Sequence, residues 1–168
     1  MIFHLYRVLW WVLLPIITLF RYYKDWRSPV KYRPGMGRFR DRIGFGPLKR
    51  ADIHLHAVSL GEVRAITPLV EALLEHFPQQ RLLLTTTTLT GSEQVVKSFT
   101  GRVDHQYLPF DNGWMMRRFF RYVAPKVSII LETELWPNYL YQANQLQIPL
   151  YLVSGTLSES SYRGYQKI

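Results

Sequence analysis

The sequence contains no cysteine among its 168 residues. Disulfides, Cys-ligated zinc, iron–sulfur clusters and a cysteine nucleophile are therefore excluded, and the composition fits a reducing compartment. The sequence also has neither a G-x-G-x-x-G segment nor a P-loop lysine motif, so a dinucleotide site and an NTPase are poorly supported. Because 48% of the residues are hydrophobic, the composition is not that of a disordered chain.

Acidic residues are scarce in the first third of the chain. Residues 1–50 carry 11 basic and 2 acidic side chains, whereas residues 51–168 carry 10 of each. The whole net charge of +9 therefore belongs to the N-terminal part. This division predicts an anchor helix at 1–26, a basic juxtamembrane arm at 27–50 and a neutral domain at 51–168, which is long enough to bury its own core.

The N-terminal apolar segment predicts a membrane anchor. Residues 8–20 are uncharged, and the apolar stretch reaches back to Met1 with only His4 and Arg7 as interruptions. About 20 residues are just enough to cross the hydrocarbon core as a helix. The basic residues that follow place the rest of the chain in the cytoplasm. A helix lying in the interface plane is the alternative, and a cleaved signal peptide fits less well because the charge follows the apolar core.

The basic arm predicts a charged partner. Its Arg and Lys residues suit anionic lipid headgroups, and nucleic acid would suit the same charge. The adjacent apolar segment favours membrane lipid over nucleic acid.

The remaining sequence alternates short apolar, β-branched runs with longer helical patterns. The runs predict five strands, at 53–58, 81–87, 104–108, 127–131 and 149–153. The patterns between them predict helices at 62–76, 91–99, 112–123 and 137–146, with a last helix beginning near Ser158. Such alternation indicates an α/β fold, a Rossmann-like parallel sheet with helices on both faces. Ligands of these folds bind at the carboxyl ends of the strands.

Carboxylates follow two of the predicted strands. Glu62 comes after the first strand, where it can act as a general base or, with Ser59, form a helix capping box. The same S/T-x-x-E spacing recurs at 90–93 and 156–159, which favours the capping role. Glu132 and Glu134 end the fourth strand and open its loop, where they serve either a ligand or a polar turn before Pro137.

Smaller residues at the same edge suit a polar ligand. Gly61 and Gly91 leave backbone N–H groups free at helix starts, although glycine is also common in turns that bind no ligand. Thr88 offers a hydroxyl. His54 and His56 share one face of the first strand, and without a third ligand they are interpreted as buried histidines rather than metal ligands.

Four of these segments together resemble a known family. They are 56–62 (HAVSLGE), 86–93 (TTTLTGSE), 107–111 (YLPFD) and 132–138 (ETELWPN). With the apolar N-terminus and the segment at 42–45 (RIGF), they resemble the N-terminal half of 3-deoxy-D-manno-octulosonic acid (Kdo) transferase over essentially the whole chain. The resemblance departs at 154–158 (SGTLS), where the family usually has N-A-R-L-S.

The resemblance implies a fold and a reaction. The family consists of inverting, metal-independent glycosyltransferases with the two-domain GT-B fold and no cofactor. They lie at the cytoplasmic face of the Gram-negative inner membrane and transfer Kdo from CMP-Kdo to a tetraacylated lipid A precursor during lipopolysaccharide biosynthesis. The N-terminal domain takes the acceptor, and the C-terminal nucleotide-sugar domain holds the donor.

The resemblance also implies roles for individual residues. It makes Glu62 the catalytic base and Glu132 the group that stabilises the transition state. Ser59, Gly61, Thr88, Gly91 and Glu134 are expected on the acceptor side, and no metal site is expected. The donor domain is absent from these 168 residues, so the isolated chain is expected to be inactive. A membrane-tethered module that binds anionic lipid without catalysis, or a glycosyltransferase with another donor, remains the alternative.

Overall fold

The structure is a computed structural model that describes residues 2–32, 34–156 and 163. A parallel five-stranded sheet forms its centre, with strand order β3-β2-β1-β4-β5. The strands are β1 (Ile53–His56), β2 (Leu82–Thr86), β3 (Asp104–Tyr107), β4 (Val127–Leu131) and β5 (Leu150–Val153). All five predicted strands are confirmed. Leu55 of β1 pairs with Leu84 of β2 and with Ile129 of β4, so β1 is the central strand.

Six helices are present in the described part of the chain. They are α1 (Ile2–Trp26), α2 (Phe39–Arg42), α3 (Leu60–His76), α4 (Leu89–Phe99), α5 (Gly113–Val123) and α6 (Pro137–Gln145). The predicted helices between strands are confirmed. The four-residue α2 was not predicted, because one turn is too short to show a helical period. The helix predicted near Ser158 lies outside the described residues.

Two apolar clusters cover the two faces of the sheet. On one face, Leu55 and Leu84 pack with residues of α3 and α4. On the other face, Leu83 and Ile130 pack with residues of α5 and α6. Because successive side chains of a strand point to opposite faces, consecutive leucines at the start of β2 serve both cores. The prediction of helices on both faces is confirmed.

Helix α1 lies against the domain along one side. The partly buried positions recur every three or four residues, as expected for one face of a helix; they are Phe3, Tyr6, Trp10, Leu14, Ile17, Thr18, Arg21 and Asp25. The positions between them present an exposed apolar face that includes Leu5, Val8, Leu9, Trp11, Val12, Ile16, Leu19 and Phe20. By length and composition alone, the segment Phe3–Trp26 is also sufficient to cross a membrane.

Part of the basic arm also packs on the domain. Asp41 and Arg42 are buried. The backbone N–H of Phe110 donates to the carbonyl of Arg42 at 2.8 Å. Arg118 of α5 donates to the carbonyl of Gly44 at 2.5 Å. The side chain of Arg42 is thus buried against the domain and does not lie on the outer surface of the arm.

Candidate active site

The order of the strands creates a crevice at one edge of the sheet. From β1 the chain proceeds to β2 and β3 on one side, and it then crosses to β4 on the other side. In parallel α/β sheets, ligands bind at this reversal, outside the carboxyl ends of the two strands. Glu62 follows β1, and Glu132 and Glu134 follow β4. The three predicted carboxylates therefore flank the same crevice.

The Glu62 carboxylate is held by backbone N–H groups. Its Oε2 accepts from Val58 N at 2.7 Å, and its Oε1 accepts from Ser59 N at 3.1 Å. In return, Glu62 N donates to Ser59 Oγ at 3.4 Å. The predicted capping box is thus present, and Glu62 is only 7% exposed. The box does not preclude a chemical role, because each carboxylate oxygen has a further lone pair that can accept a proton or a hydrogen bond.

Glu132 and Glu134 differ in their surroundings. Glu132 is exposed, has a left-handed backbone (φ 60°), and donates its N–H to Val153 O at 2.9 Å. Glu134 is half-buried. Burial and, next, the charge of Glu62 raise the pKa of Glu134; the indole N–H of Trp136 lowers it, and Glu132 adds a smaller increase. Glu134 is therefore electrostatically coupled to both of the other carboxylates.

The other predicted acceptor-side residues pack around the Glu62 turn. The Thr88 hydroxyl donates to Val58 O at 3.1 Å and accepts from Gly91 N at 3.1 Å. A Cβ at Gly91 would lie 3.2 Å from the Ser59 carbonyl carbon and 3.3 Å from Val58 O. Thr88 and Gly91 thus support the loop that carries Glu62. Gly61 is exposed, with only Ser59 Oγ near its Cβ direction, at 3.9 Å.

The second predicted capping box is wrong. The N-cap of α4 is Thr88, whose hydroxyl caps Gly91 N, and the helix already begins at Leu89. Thr90 and Glu93 therefore lie inside the first turns, because a suitable hydroxyl occurs two residues earlier. The third predicted box, at 156–159, ends outside the described residues.

The two histidines of β1 are buried, as predicted. His54 is hydrogen-bonded to Ser128 Oγ at 2.7 Å and to Thr85 Oγ1 at 2.8 Å. His56 is hydrogen-bonded to Thr85 Oγ1 at 2.9 Å. Burial lowers the pKa of His54 well below its usual value, and lowers that of His56 to about 4, so both are neutral at pH 7. In the described part of the chain, no group of three or more His, Cys, Asp or Glu is placed to hold a metal ion.

Sequence reasoning missed Asp111, which links three elements at this edge. Its Oδ1 accepts from Tyr139 N at 2.8 Å, and its Oδ2 accepts from Asn138 N at 2.9 Å, so it caps α6. The hydroxyl of Tyr6 on α1 donates to the same Oδ2 at 2.7 Å. Burial raises the pKa of Asp111 to about 6 despite these donors. Its position in the loop after β3 was the available signal, because Glu132 and Glu134 were selected from the loop after β4.

Two arginines at the edge were also missed as individual residues. Arg21 of α1 and Arg42 both donate to Thr87 O, at 2.9 and 2.6 Å. Asp25 bridges them, with its carboxylate 3.0 Å from Arg21 Nη2 and 3.2 Å from Arg42 Nε. The single acidic residue of an otherwise apolar and basic helix was the signal for this contact. Helix α1 therefore borders the ligand edge of the sheet.

The parallel sheet with its carboxylate-flanked crevice defines the class: a Rossmann-like domain with the architecture of the N-terminal half of a GT-B glycosyltransferase. The family of 3-deoxy-D-manno-octulosonic-acid transferases (kdotransferases) matches residues 37–168. The chain belongs to this family, which confirms the resemblance.

Individual relatives agree with this assignment. A 3-deoxy-D-manno-octulosonic acid transferase of Haemophilus influenzae is 39% identical over 92% of the chain and 36% of its own length. A transferase of the same name from Bordetella pertussis is 42% identical over 67% of the chain and 27% of its own length. A probable mitochondrial one from Arabidopsis thaliana is 33% identical over 96% of the chain and 36% of its own length. The chain spans about a third of the length of these curated relatives.

Proposed function

We propose that this chain is the acceptor-binding half of a glycosyltransferase that moves Kdo from CMP-Kdo to a tetraacylated lipid A precursor in lipopolysaccharide biosynthesis. The observation that carries the proposal is Glu62 at the strand-order reversal of a domain that belongs to the Kdo transferase family. The donor is assigned to a further domain, which corresponds to the part of the relatives that this chain does not match.

In the proposed reaction, Glu62 acts as the general base. A sugar hydroxyl is a weak nucleophile at neutral pH, so a carboxylate must accept its proton as the oxygen attacks the anomeric carbon of Kdo. The bond from that carbon to the CMP phosphate breaks from the opposite side, CMP departs with the bonding electrons, and the configuration inverts. The two backbone N–H groups on Glu62 support this role, because they fix the direction of the carboxylate.

The carboxylates beyond β4 have a complementary role in this proposal. Breaking the bond to CMP leaves positive charge on the Kdo ring, which a carboxylate stabilises. Exposed Glu132 is assigned this role, as the family resemblance implies. Half-buried Glu134, with its raised pKa, is assigned to hydrogen bonding of the acceptor. The proposed mechanism needs neither a metal nor a cofactor from this chain.

We also propose that α1 attaches the protein to the cytoplasmic surface of the inner membrane by lying in the membrane plane. The Phe3 ring packs against the Tyr141 ring near one end of α1, with the ring centroids 4.9 Å apart, and Arg21 contacts Thr87 near the other end. At 1.5 Å per residue these contacts are about 27 Å apart along the helix. A helix that crossed the hydrocarbon core could not keep both contacts with a domain in water. The exposed apolar face of α1 then enters the lipid layer.

Donor selectivity of the full-length protein tests the proposed reaction. Transfer to the lipid A precursor is measured from CMP-Kdo alone and in competition with UDP- and GDP-sugars. The proposal expects transfer from CMP-Kdo that the other nucleotide sugars do not inhibit. Transfer from another donor, or acceptor binding without transfer of any sugar, would overturn it and favour the alternatives of another glycosyltransferase or a lipid-binding module.

The orientation of α1 can be tested separately, because the chain has no cysteine. His4→Cys, at an exposed site near the start of α1, is labelled with a membrane-impermeant maleimide in spheroplasts and in inverted vesicles. Ala72→Cys, exposed on α3, serves as the matched marker of the domain. In-plane attachment expects both residues to react only in inverted vesicles. Labelling of His4→Cys in spheroplasts would show that α1 crosses the membrane.

A further inference from the structure

A cavity of about 370 Å³ separates α1 from the ligand edge of the sheet. This volume lies within the range of small-molecule sites in proteins. One wall comes from α1, and the others follow β2, β3 and β4. Most of the lining is apolar, and it includes Trp10, Ile17, Leu108, Pro109, Phe110 and Trp136. Arg21, Arg42, Thr87 and Asp111 provide the polar part of the lining. An apolar space with two arginines suits an amphiphile that carries negative charge.

Arg42 is almost completely buried, with 2% of its surface exposed. Its Nη1 donates to Thr87 O, its Nε meets Asp25, and its guanidinium lies 3.6 Å above the Tyr107 ring. These contacts leave Nη2 without a hydrogen-bond partner among the described residues. An unpaired buried donor destabilises a protein, and a charged one does so more strongly. A site that retains one therefore points to a missing acceptor.

Arg21 has a second unpaired donor in the same place. Its Nη2 contacts Thr87 O and Asp25, whereas its buried Nε has no hydrogen-bond partner among the described residues. One carboxylate, that of Asp25, faces two guanidinium groups, so this trio carries a net positive charge. Burial and the neighbouring Arg21 lower the pKa of Arg42, which reflects this uncompensated charge. An anionic oxygen at the cavity would pair with both donors.

We propose that this cavity binds a phosphate-bearing, acylated lipid, with a phosphate oxygen accepting from Arg42 Nη2 and Arg21 Nε. The first carbons of one acyl chain lie against Trp10, Ile17 and Phe110. Two donors on adjacent guanidinium groups suit phosphate geometry. The identification of this lipid with the acceptor rests on the proposed function. The cavity would then hold the acceptor by its phosphate and one chain, beside the crevice that carries Glu62.

The polar part of the proposal is tested by removing one charge at two places on the same helix. Arg21→Gln removes a cavity donor, while Lys24→Gln removes an exposed charge one turn later. Binding of a tetraacylated lipid A precursor is measured in neutral phosphatidylcholine bicelles without any sugar donor. Loss of a charge-assisted hydrogen bond predicts about 10- to 100-fold weaker binding for Arg21→Gln. Lys24→Gln should change binding less than threefold. Equal losses would mean a nonspecific surface charge effect and would overturn the site.

The apolar part is tested by a second matched pair that changes no charge. Ile17 lines the cavity, whereas the adjacent Ile16 is 63% exposed and belongs to the exposed apolar face of α1. Ile17→Trp should fill the space and weaken lipid binding at least tenfold. Ile16→Trp keeps the lipid-facing side of α1 apolar and should change lipid binding less than threefold. If both variants bind lipid as well as the unmodified protein, the acyl chain does not occupy the cavity and the proposal fails.

Two further ligands identify the source of the phosphate. Inorganic phosphate at millimolar concentration should not displace the lipid; full displacement would reduce the site to a simple anion site and overturn the lipid assignment. Phosphatidylglycerol should bind more weakly than the lipid A precursor, and equal Arg21-dependent binding would overturn the assignment to the acceptor. These binding assays contain no sugar donor. Failure of lipid binding at the cavity would therefore leave the proposed Kdo transfer intact, and failure of Kdo transfer would leave the proposed lipid site intact.

Discussion

The contact between the α4 start and the Glu62 loop makes Gly91 sensitive to a single methyl group. A Cβ at Gly91 would lie 2.9 Å from Thr88 Oγ1, 3.2 Å from the Ser59 carbonyl carbon and 3.3 Å from Val58 O. Two of these neighbours are backbone atoms, so the loop must shift by a few tenths of an ångström. Overpacking of this kind destabilises by about 1–3 kcal/mol. The gain of roughly 1 kcal/mol in helix propensity for Gly→Ala offsets only part of this.

Gly61 provides a matched control in the first turn of α3. Its added Cβ would meet only Ser59 Oγ, at 3.9 Å. We expect Gly91→Ala to lower the melting temperature by about 2–8 °C, whereas Gly61→Ala should leave it unchanged or raise it slightly. Thermal denaturation followed by circular dichroism measures both variants. If Gly91→Ala melts at or above the temperature of the unmodified protein, the proposed packing of α4 on the Glu62 loop is refuted.

The same pair separates packing from substrate contact in the full-length enzyme. Gly91→Ala should reduce transfer because it displaces the loop that fixes the Glu62 carboxylate. Gly61→Ala should reduce transfer only if the acceptor occupies the open space beside Gly61. A stable Gly61→Ala variant with reduced activity would therefore assign Gly61 to the acceptor side, as expected from the sequence.

The remaining predictions concern pH. Burial lowers the pKa of His56 and His105 to about 4, so their contribution to stability is complete above pH 6.5, their usual pKa, and is lost as the pH falls toward 4. Each of these histidines should lower the free energy of unfolding by about 2 kcal/mol between pH 7 and pH 5, and the melting temperature should fall accordingly. A constant or rising melting temperature would contradict this. Asp111 has the opposite effect, because burial raises its pKa to about 6. Its contribution to the free energy of unfolding is complete below pH 4, near its usual pKa, and is lost as the pH rises through 6. It should therefore recover about 1 kcal/mol between pH 7 and pH 5, so Asp111→Asn should make the acid destabilisation steeper; an unchanged slope would show that Asp111 does not titrate in this range.

The sheet could be predicted from the sequence because β2, β4 and β5 are short, mostly apolar runs and the segments between the strands have clear helical periods. The run at 127–131 matches β4 to the residue. The carboxylates at the ligand edge could also be predicted, since the carboxyl ends of parallel strands meet at one edge. The sequence could not show which of Glu132 and Glu134 is exposed and which is half-buried near Glu62. Glu132 has a left-handed backbone and is exposed, whereas burial and the charge of Glu62 raise the pKa of half-buried Glu134.

The docking of α1 was not predictable from hydropathy. Apolar residues cover nearly the whole helix, so composition does not reveal which face meets the domain. The polar contacts reveal it: Tyr6 with Asp111, and Arg21 and Asp25 with the Thr87 loop and Arg42. Each pair is distant in sequence, and a single sequence carries no signal that joins such partners. Helix α1 therefore becomes part of the candidate site only in the folded structure.

The amide variant Glu62→Gln tests the proposed role of Glu62 as the general base most directly. In the full-length enzyme, Glu62→Gln keeps an oxygen for the cap but cannot accept the acceptor proton. Asn112→Ala is the matched control: it removes the cap of α5, where Asn112 Oδ1 accepts from Trp114 N at 3.0 Å, and should lower stability by about 1 kcal/mol. Kdo transfer from CMP-Kdo to the lipid A precursor is then measured for both folded variants.

We expect Glu62→Gln to lower transfer by about 100- to 10,000-fold, while Asn112→Ala should change it only a few-fold. If both variants lose similar stability and Glu62→Gln retains transfer within a few-fold of the unmodified enzyme, Glu62 is only a helix cap, and the base must be sought at Glu132 or Glu134.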